Sequence, residues 1–142
     1  MNNFLSSAPI RAHQGLAIVR IMVGLLLVYH GHEVFRPEIM ATYLEWDTFR
    51  SPSAKFLVYA GKSAEFIAGV FLTLGLFTRL AAILMIGTFC YITFFVGNGR
   101  FWYEDQHPFM FALLGLLFFF TGPGTWSLDG VAQQHQHKHL NT

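Results

Sequence analysis

The segment that most constrains this chain runs from residue 56 to residue 78, where an otherwise apolar stretch contains Lys62 and Glu65. About 20 consecutive apolar residues are enough for a helix to cross the hydrocarbon core of a bilayer. At ~1.5 Å per residue, Glu65 lies about 14 Å from the start of this helix, near the middle of a core about 30 Å thick. A carboxylate at that depth costs at least ~2.5–3.5 kcal/mol to insert, so Glu65 needs a partner inside the protein.

The composition places the chain among integral membrane proteins. Of its 142 residues, 54% are hydrophobic and only 12% are charged, about half the charged fraction of a soluble domain. The formal net charge of +1 gives no bulk electrostatic attraction for nucleic acid. Because Cys90 is the only cysteine, an intrachain disulfide and a Cys-x-x-Cys redox pair are both excluded.

Four apolar runs predict four membrane spans and a single membrane domain over residues 1–142. The predicted spans cover residues 16–35, 56–78, 80–96 and 108–121, followed by a flexible tail at 131–142. Pro37 ends the first span, Thr78 and Arg79 form the turn between the second and third, and the Gly-Pro-Gly at 122–124 ends the fourth. We therefore predict an all-α integral membrane four-helix bundle with up-down-up-down order.

This order predicts that most of the acidic residues and histidines gather at one end of the bundle. The ends of spans one and three and the starts of spans two and four share one side, where polar residues are frequent. Lys62, three residues before Glu65, and Arg20 in the first span are candidate partners of Glu65. If Arg20 and Glu65 have a structural role, they form an ion pair or bind backbone carbonyls. If they have a functional role, they form a proton or substrate site. The candidate polar site consists of Arg20, His30, Glu33, Lys62, Glu65 and His107.

Small residues recur on one face of each of the first two spans. At ~100° per residue, Gly24 and Gly31 share a face with Arg20, and Gly61 and Gly69 share a face with Glu65. Glycine at four-residue spacing lets membrane helices approach closely. We expect these two faces to pack against other helices.

A metal or haem site is the alternative use of the histidines. His30 and Glu33 share a helix face, and a carboxylate–histidine metal site would need them to converge with Glu65 and His107. A haem would use His30 and His107 as axial ligands. The sequence contains no nucleotide fingerprint, phosphate loop or Ser-His-Asp order, so it identifies no catalytic residue.

Several motifs in sequence order resemble those of a known membrane protein family. They are Arg20 with Gly24, the Tyr-His-Gly at 29–31, Glu65, the Leu-Gly-Leu-Phe-Thr-Arg at 74–79, and the Gly-Pro-Gly-Thr-Trp-Ser-Leu-Asp at 122–129. Together they resemble the DoxX family of small four-span bacterial membrane proteins over residues 20–129. The family residues that map onto this chain are Arg20, Glu65 and Arg79.

The resemblance implies a four-helix membrane fold and an association with redox physiology, because relatives occur as subunits of thiosulfate:quinone oxidoreductase and beside oxidative-stress enzymes. Our first hypothesis is therefore a subunit or partner of a membrane-associated oxidoreductase or quinone-handling system, with quinone as its possible ligand. The second is a metal- or haem-binding membrane enzyme, and the third is a small-solute transporter. The partners would be the lipid bilayer and either a protein of a membrane redox complex or further copies of this chain.

The resemblance places the chain in the bacterial cytoplasmic (inner) membrane as a multi-pass protein. Basic residues occur on both sides of the predicted bundle, so counting them does not decide its orientation. We favour a topology with both termini in the cytoplasm.

Overall fold

The computed structural model describes residues 10–132 and 134, and this part of the chain is helical and contains no strand. Its long-range architecture is built by five α-helices: α1 (Ala12–Gly31), α2 (Pro37–Leu44), α3 (Ala54–Leu74), α4 (Thr78–Tyr91) and α5 (Gln106–Thr121). Residues 128–132 are also helical. Two 3₁₀ turns, His32–Phe35 and Asp47–Phe49, flank α2, and a π-helix, Ile92–Val96, extends α4.

In the described part of the chain, three helical stretches are long and apolar enough to cross a membrane: Ala12–Phe35, Ala54–Leu74 and Thr78–Val96. The apolar helix α5 has 16 residues, which at ~1.5 Å per residue is about 24 Å. The prediction of an all-α membrane helical bundle is confirmed. Most of the predicted tail at 131–142 lies outside the described residues.

The connection between the second and third spans lies earlier in the chain than the sequence predicts. Helix α3 ends at Leu74, and Gly75 follows it in the left-handed conformation with φ 63°. Phe77 is also left-handed, with φ 47°, and precedes the first residue of α4. A left-handed residue ends a helix because it turns the chain away from the helix axis. Thr78 and Arg79 therefore belong to α4, and the turn consists of residues 75–77.

The long helices pack in the order α1, α3, α4, α5, so α3 and α4 are the two inner elements. Helix α3 contacts α1 on one side and α4 on the other, and α5 packs against α4. The buried apolar core runs through all four of these helices. It consists of Val23, Leu27, Ala68, Leu72, Ala81, Ala82, Met85, Phe89, Phe111, Ala112 and Phe118.

Glycines hold α1 and α3 in close contact, as the spacing of small residues predicts. A Cβ atom built on Gly69 would lie 2.6 Å from the backbone nitrogen of Val28 and 2.9 Å from the carbonyl oxygen of Gly24. A Cβ on Gly24 would lie 2.6 Å from the backbone nitrogen of Thr73. Because these neighbours are backbone atoms, neither helix can yield without moving as a whole. Gly61 is different, since a Cβ there would meet nothing within 4 Å.

We expect Gly69→Ala to destabilise the bundle, because the added methyl group forces α1 and α3 apart. Overpacking of this kind typically costs about 1–3 kcal/mol. The matched control is Gly15→Ala on α1, where a Cβ meets nothing within 4 Å and alanine is the better helix former. Thermal unfolding in detergent should show a lower midpoint for Gly69→Ala and no loss for Gly15→Ala. Equal midpoints for the two variants would contradict the close approach of α1 and α3.

Candidate functional site

Lys62 lies between two carboxylates and links α3 to the 3₁₀ turn that follows α1. Its Nζ lies 2.9 Å from Oε2 of Glu33 and 3.2 Å from Oε2 of Glu65. Lys62 and Glu65 are three residues apart on one face of α3, whereas Glu33 comes from the 3₁₀ turn that follows α1. Glu65 is buried, with 5% of its surface exposed. We call Glu33, Lys62 and Glu65 the ionic triad.

Tyr43 of α2 closes over the ionic triad from the connection between α1 and α3. Its hydroxyl donates a 2.7 Å hydrogen bond to Oε2 of Glu33, and Nζ of Lys62 lies 4.9 Å from the centre of its ring. Burial raises the pKa of Tyr43 above its ordinary value, and the bond to the Glu33 carboxylate raises it further. Tyr43 therefore stays a neutral donor near neutral pH and fixes the position of Glu33.

A cavity of about 410 Å³ opens beside the ionic triad, between α3 and α4. Lys62 and Glu65 form its charged wall, and the rest of its lining is mostly apolar or aromatic. The lining residues are Tyr43, Trp46, Phe49, Leu57, Val58, Ala60, Gly61, Lys62, Glu65, Gly87, Thr88, Tyr91, Ile92 and Val96. A Cβ on either Gly61 or Gly87 would meet nothing within 4 Å, so glycine on both helices keeps this space open.

The π-helix at the end of α4 contributes Ile92 and Val96 to the cavity. Thr93, which lies in the same turn, is fully buried and donates a 2.8 Å hydrogen bond to the carbonyl oxygen of Phe89. A π-turn inserts one extra residue into a helix and is frequent at functional sites. The sequence does not predict this π-turn, because residues 92–96 are as apolar as those of α4.

Arg20 does not join the ionic triad. It is fully buried, and its guanidinium donates only to backbone carbonyls at the opposite end of α3. The nitrogen Nε donates to Pro123 at 2.8 Å, and Nη2 donates to Trp126 at 2.8 Å. The other acceptors are the carbonyl oxygens of Leu72 and Thr73, in the last turn of α3, and that of Thr125. Arg20 thus ties the end of α3 to the loop that follows α5.

Asp129 completes this end of the bundle and was not among the residues predicted from the sequence. Its two carboxylate oxygens accept 2.9 Å hydrogen bonds from the backbone nitrogens of Phe77 and Thr78. Its own backbone nitrogen donates to the carbonyl oxygen of Gly75 at 2.9 Å. A carboxylate at the start of α4 satisfies free N–H groups there and complements the helix dipole. The signal in the sequence is the acidic residue that ends the segment 122–129.

Among the described residues, neither histidine of the candidate site makes a hydrogen bond or an ion pair with the ionic triad. His30 is exposed, and its ring packs edge-on against Tyr29 with 5.5 Å between ring centres. His107 is also exposed and packs against Phe111 at 5.2 Å. Among residues 10–132 and 134, no group of three or more His, Cys, Asp or Glu side chains is placed to hold a metal ion. The structure therefore does not assemble the alternative set of His30, Glu33, Glu65 and His107 as a metal centre.

The DoxX family model matches residues 15–98 of this chain, which is more than half of its length. This segment contains Arg20 and the whole ionic triad, and it ends before His107 and Asp129. A protein of Mycobacterium tuberculosis described as an uncharacterized membrane protein is 29% identical over 125 residues, which cover 78% of this chain and 77% of the relative. An uncharacterized protein of Haemophilus influenzae is 29% identical over 126 residues, which cover 80% of this chain and 87% of the relative. No solved structure matches the chain.

We expect Arg20→Lys to destabilise the protein strongly, because one ammonium group cannot replace the forked donors that serve carbonyls on two separate segments. Each buried carbonyl left without a donor costs about 1–3 kcal/mol. The matched control is Arg79→Lys, since Arg79 is exposed. Thermal unfolding and gel filtration in detergent should show loss of stability for Arg20→Lys alone. Wild-type behaviour of Arg20→Lys would mean that these bonds do not hold the end of the bundle.

Proposed function

This chain belongs to the DoxX family and is a small multi-pass membrane protein, and from that premise we propose that it binds a quinone-type headgroup within the bilayer. We propose further that it does so as a subunit or partner of a membrane-associated oxidoreductase. The observation that carries the proposal is the cavity between α3 and α4, whose apolar and aromatic lining meets a charged wall at Lys62 and Glu65.

The size and chemistry of the cavity suit a ring with polar substituents. Ligand pockets usually enclose about 300–1,000 Å³ and combine a mostly apolar lining with a few polar groups. Here Trp46 and Tyr91 offer aromatic surface, against which a flat ring can stack. At the edge of the ring, Lys62 offers a positive charge and Glu65 offers a hydrogen-bond acceptor. A quinone headgroup has this combination of an apolar, flat body and oxygen atoms at its edge.

The position of the cavity supports a ligand that arrives through the bilayer. It lies between two of the helices that are long and apolar enough to span the membrane. Glu65 lies close to the middle of α3, where burying a carboxylate in the bilayer is costly unless it has a function or a partner. A lipid-soluble molecule can reach such a site sideways from the hydrocarbon core, without crossing water.

Electron transfer would be carried out by a partner protein. This chain has one cysteine, Cys90, so it cannot form the dithiol pair that many redox proteins use. Its contribution would be to hold the quinone close to the cofactor of the partner. Gentle purification should then yield a complex that contains an oxidoreductase.

We expect a short-chain benzoquinone to bind the purified protein and raise its midpoint of thermal unfolding, since a ligand that binds only the folded state stabilises it. Gly87→Leu should weaken that binding at least tenfold, because its side chain enters the cavity while a Cβ there meets nothing within 4 Å. The matched control is Gly15→Leu, which is equally unobstructed and does not line the cavity. A protein that purifies alone and shows no quinone-dependent stabilisation would refute the proposal, as would equal binding by Gly87→Leu.

We also propose that the protein lies in the bacterial inner membrane with both termini in the cytoplasm. The start of α1 and the end of α5 lie at the end of the bundle that holds Arg20 and Asp129. This end would face the cytoplasm, and the ionic triad would lie nearer the other surface. A green fluorescent protein fused to the C-terminus should fluoresce, and an alkaline phosphatase fused there should be inactive. The opposite pair of results would reverse the orientation.

A further inference from the structure

The ionic triad contains more acidic than basic groups. Glu33 and Glu65 share the single ammonium group of Lys62, so the ionised triad carries one excess negative charge. Its members are mostly withdrawn from solvent, with side-chain exposures of 19%, 13% and 6% for Glu33, Lys62 and Glu65. Excess charge in such a place is costly unless a hydrogen-bond donor or a proton compensates it. The site is therefore suited to a ligand that brings a donor.

The hydrogen bonds of the triad show which of its atoms remains available to a ligand. Lys62 contacts both carboxylates through Nζ and faces the ring of Tyr43. The hydroxyl of Tyr43 is engaged with Glu33. In Glu65, Oε2 is bound to Lys62, while Oε1 accepts no hydrogen bond from any described residue. Since Glu65 lines the cavity, its Oε1 is a charged acceptor open to the ligand.

The remaining polar groups of the cavity do not reverse this preference. Thr88 and Tyr91 carry hydroxyls, which can either donate or accept and so favour neither kind of ligand. The indole N–H of Trp46 only donates, but Trp46 is 50% exposed, so its donor keeps other partners. Of the residues that the structure describes, Glu65 is the only carboxylate that lines the cavity. It is therefore the group that discriminates between ligands.

We propose that this cavity selects the reduced, hydroxyl-bearing form of its ligand, a hydroquinone, over the oxidised quinone. This inference rests on the proposed function. Each hydroxyl of a hydroquinone can donate a hydrogen bond to the carboxylate of Glu65. A quinone presents only carbonyl oxygens, whose lone pairs are repelled by the carboxylate. A hydrogen bond to a charged group is stronger than one between neutral groups, which corresponds to a preference of about tenfold or more.

Selective binding of the reduced form has a redox consequence. A site that holds the hydroquinone tenfold more tightly than the quinone raises the potential of the bound two-electron couple by about 30 mV. Bound quinone would accept electrons more readily than free quinone. The cavity would then favour reduction of quinone by a partner protein and would retain the product until it is displaced.

The experiment compares three ligands that share one ring and one short tail: the quinone, the hydroquinone and the dimethyl ether of the hydroquinone. Binding to the full chain in detergent is measured by calorimetry without oxygen. We expect the hydroquinone to bind at least tenfold more tightly than the quinone, and the dimethyl ether, which has no donor, to bind like the quinone. Because this comparison uses the wild-type protein, it does not depend on the folding of any variant.

Two variants then test Glu65 itself. Glu65→Gln replaces the charged acceptor with an amide that both donates and accepts, so the preference for the hydroquinone should fall to within threefold while quinone binding persists. Glu104→Gln is the matched control, because Glu104 is exposed and does not line the cavity. Equal binding of quinone and hydroquinone by the wild-type protein, or an unchanged preference in Glu65→Gln, would overturn this inference alone. Failure of all three ligands to bind would overturn the proposed function as well.

Discussion

A fully buried guanidinium holds one end of this bundle together. Arg20 lies on α1, yet every one of its hydrogen bonds reaches a backbone carbonyl of α3 or of the loop after α5. The last carbonyls of a helix have no partner within the helix, and inside a membrane no water can serve them. One arginine with several fixed donors can satisfy carbonyls from two segments at once. The hydrogen bonds of Arg20 therefore fix both the position of α1 against α3 and the path of the chain after α5.

Asp129 acts at the same end with the opposite charge. It binds the first backbone N–H groups of α4, while Arg20 binds the last carbonyls of α3. The turn at 75–77 is thus held from both sides by charged groups that complement the two helix termini. The charged side chains of Arg20 and Asp129 are both satisfied by backbone partners. This end of the protein is accordingly a structural closure, and the ligand site is proposed elsewhere.

The middle of α3 is built differently. There Lys62 pairs with carboxylates from two elements, one acidic group remains in excess, and the neighbouring space is open. The glycines of these helices therefore have two different environments. Gly69 allows backbone contact with α1, whereas Gly61 and Gly87 leave the space between α3 and α4 empty. A glycine can either close a gap or maintain one, and only its neighbours decide which.

The sequence by itself determined the membrane class and the all-α bundle, because apolar run length and helical periodicity are local properties. For Glu65 it offered two candidate partners, Lys62 and Arg20. It also placed Gly24 and Gly69 on packing faces. Only the tertiary structure decided that Arg20 binds carbonyls and not Glu65, and that Glu33 completes the triad with Tyr43 bonded to it. It also decided that His30 and His107 are exposed. These outcomes depend on how each helix is rotated against its neighbours and on where the connection through α2 folds back. The spacing of residues along one helix determines neither the rotation of that helix nor the path of the connection.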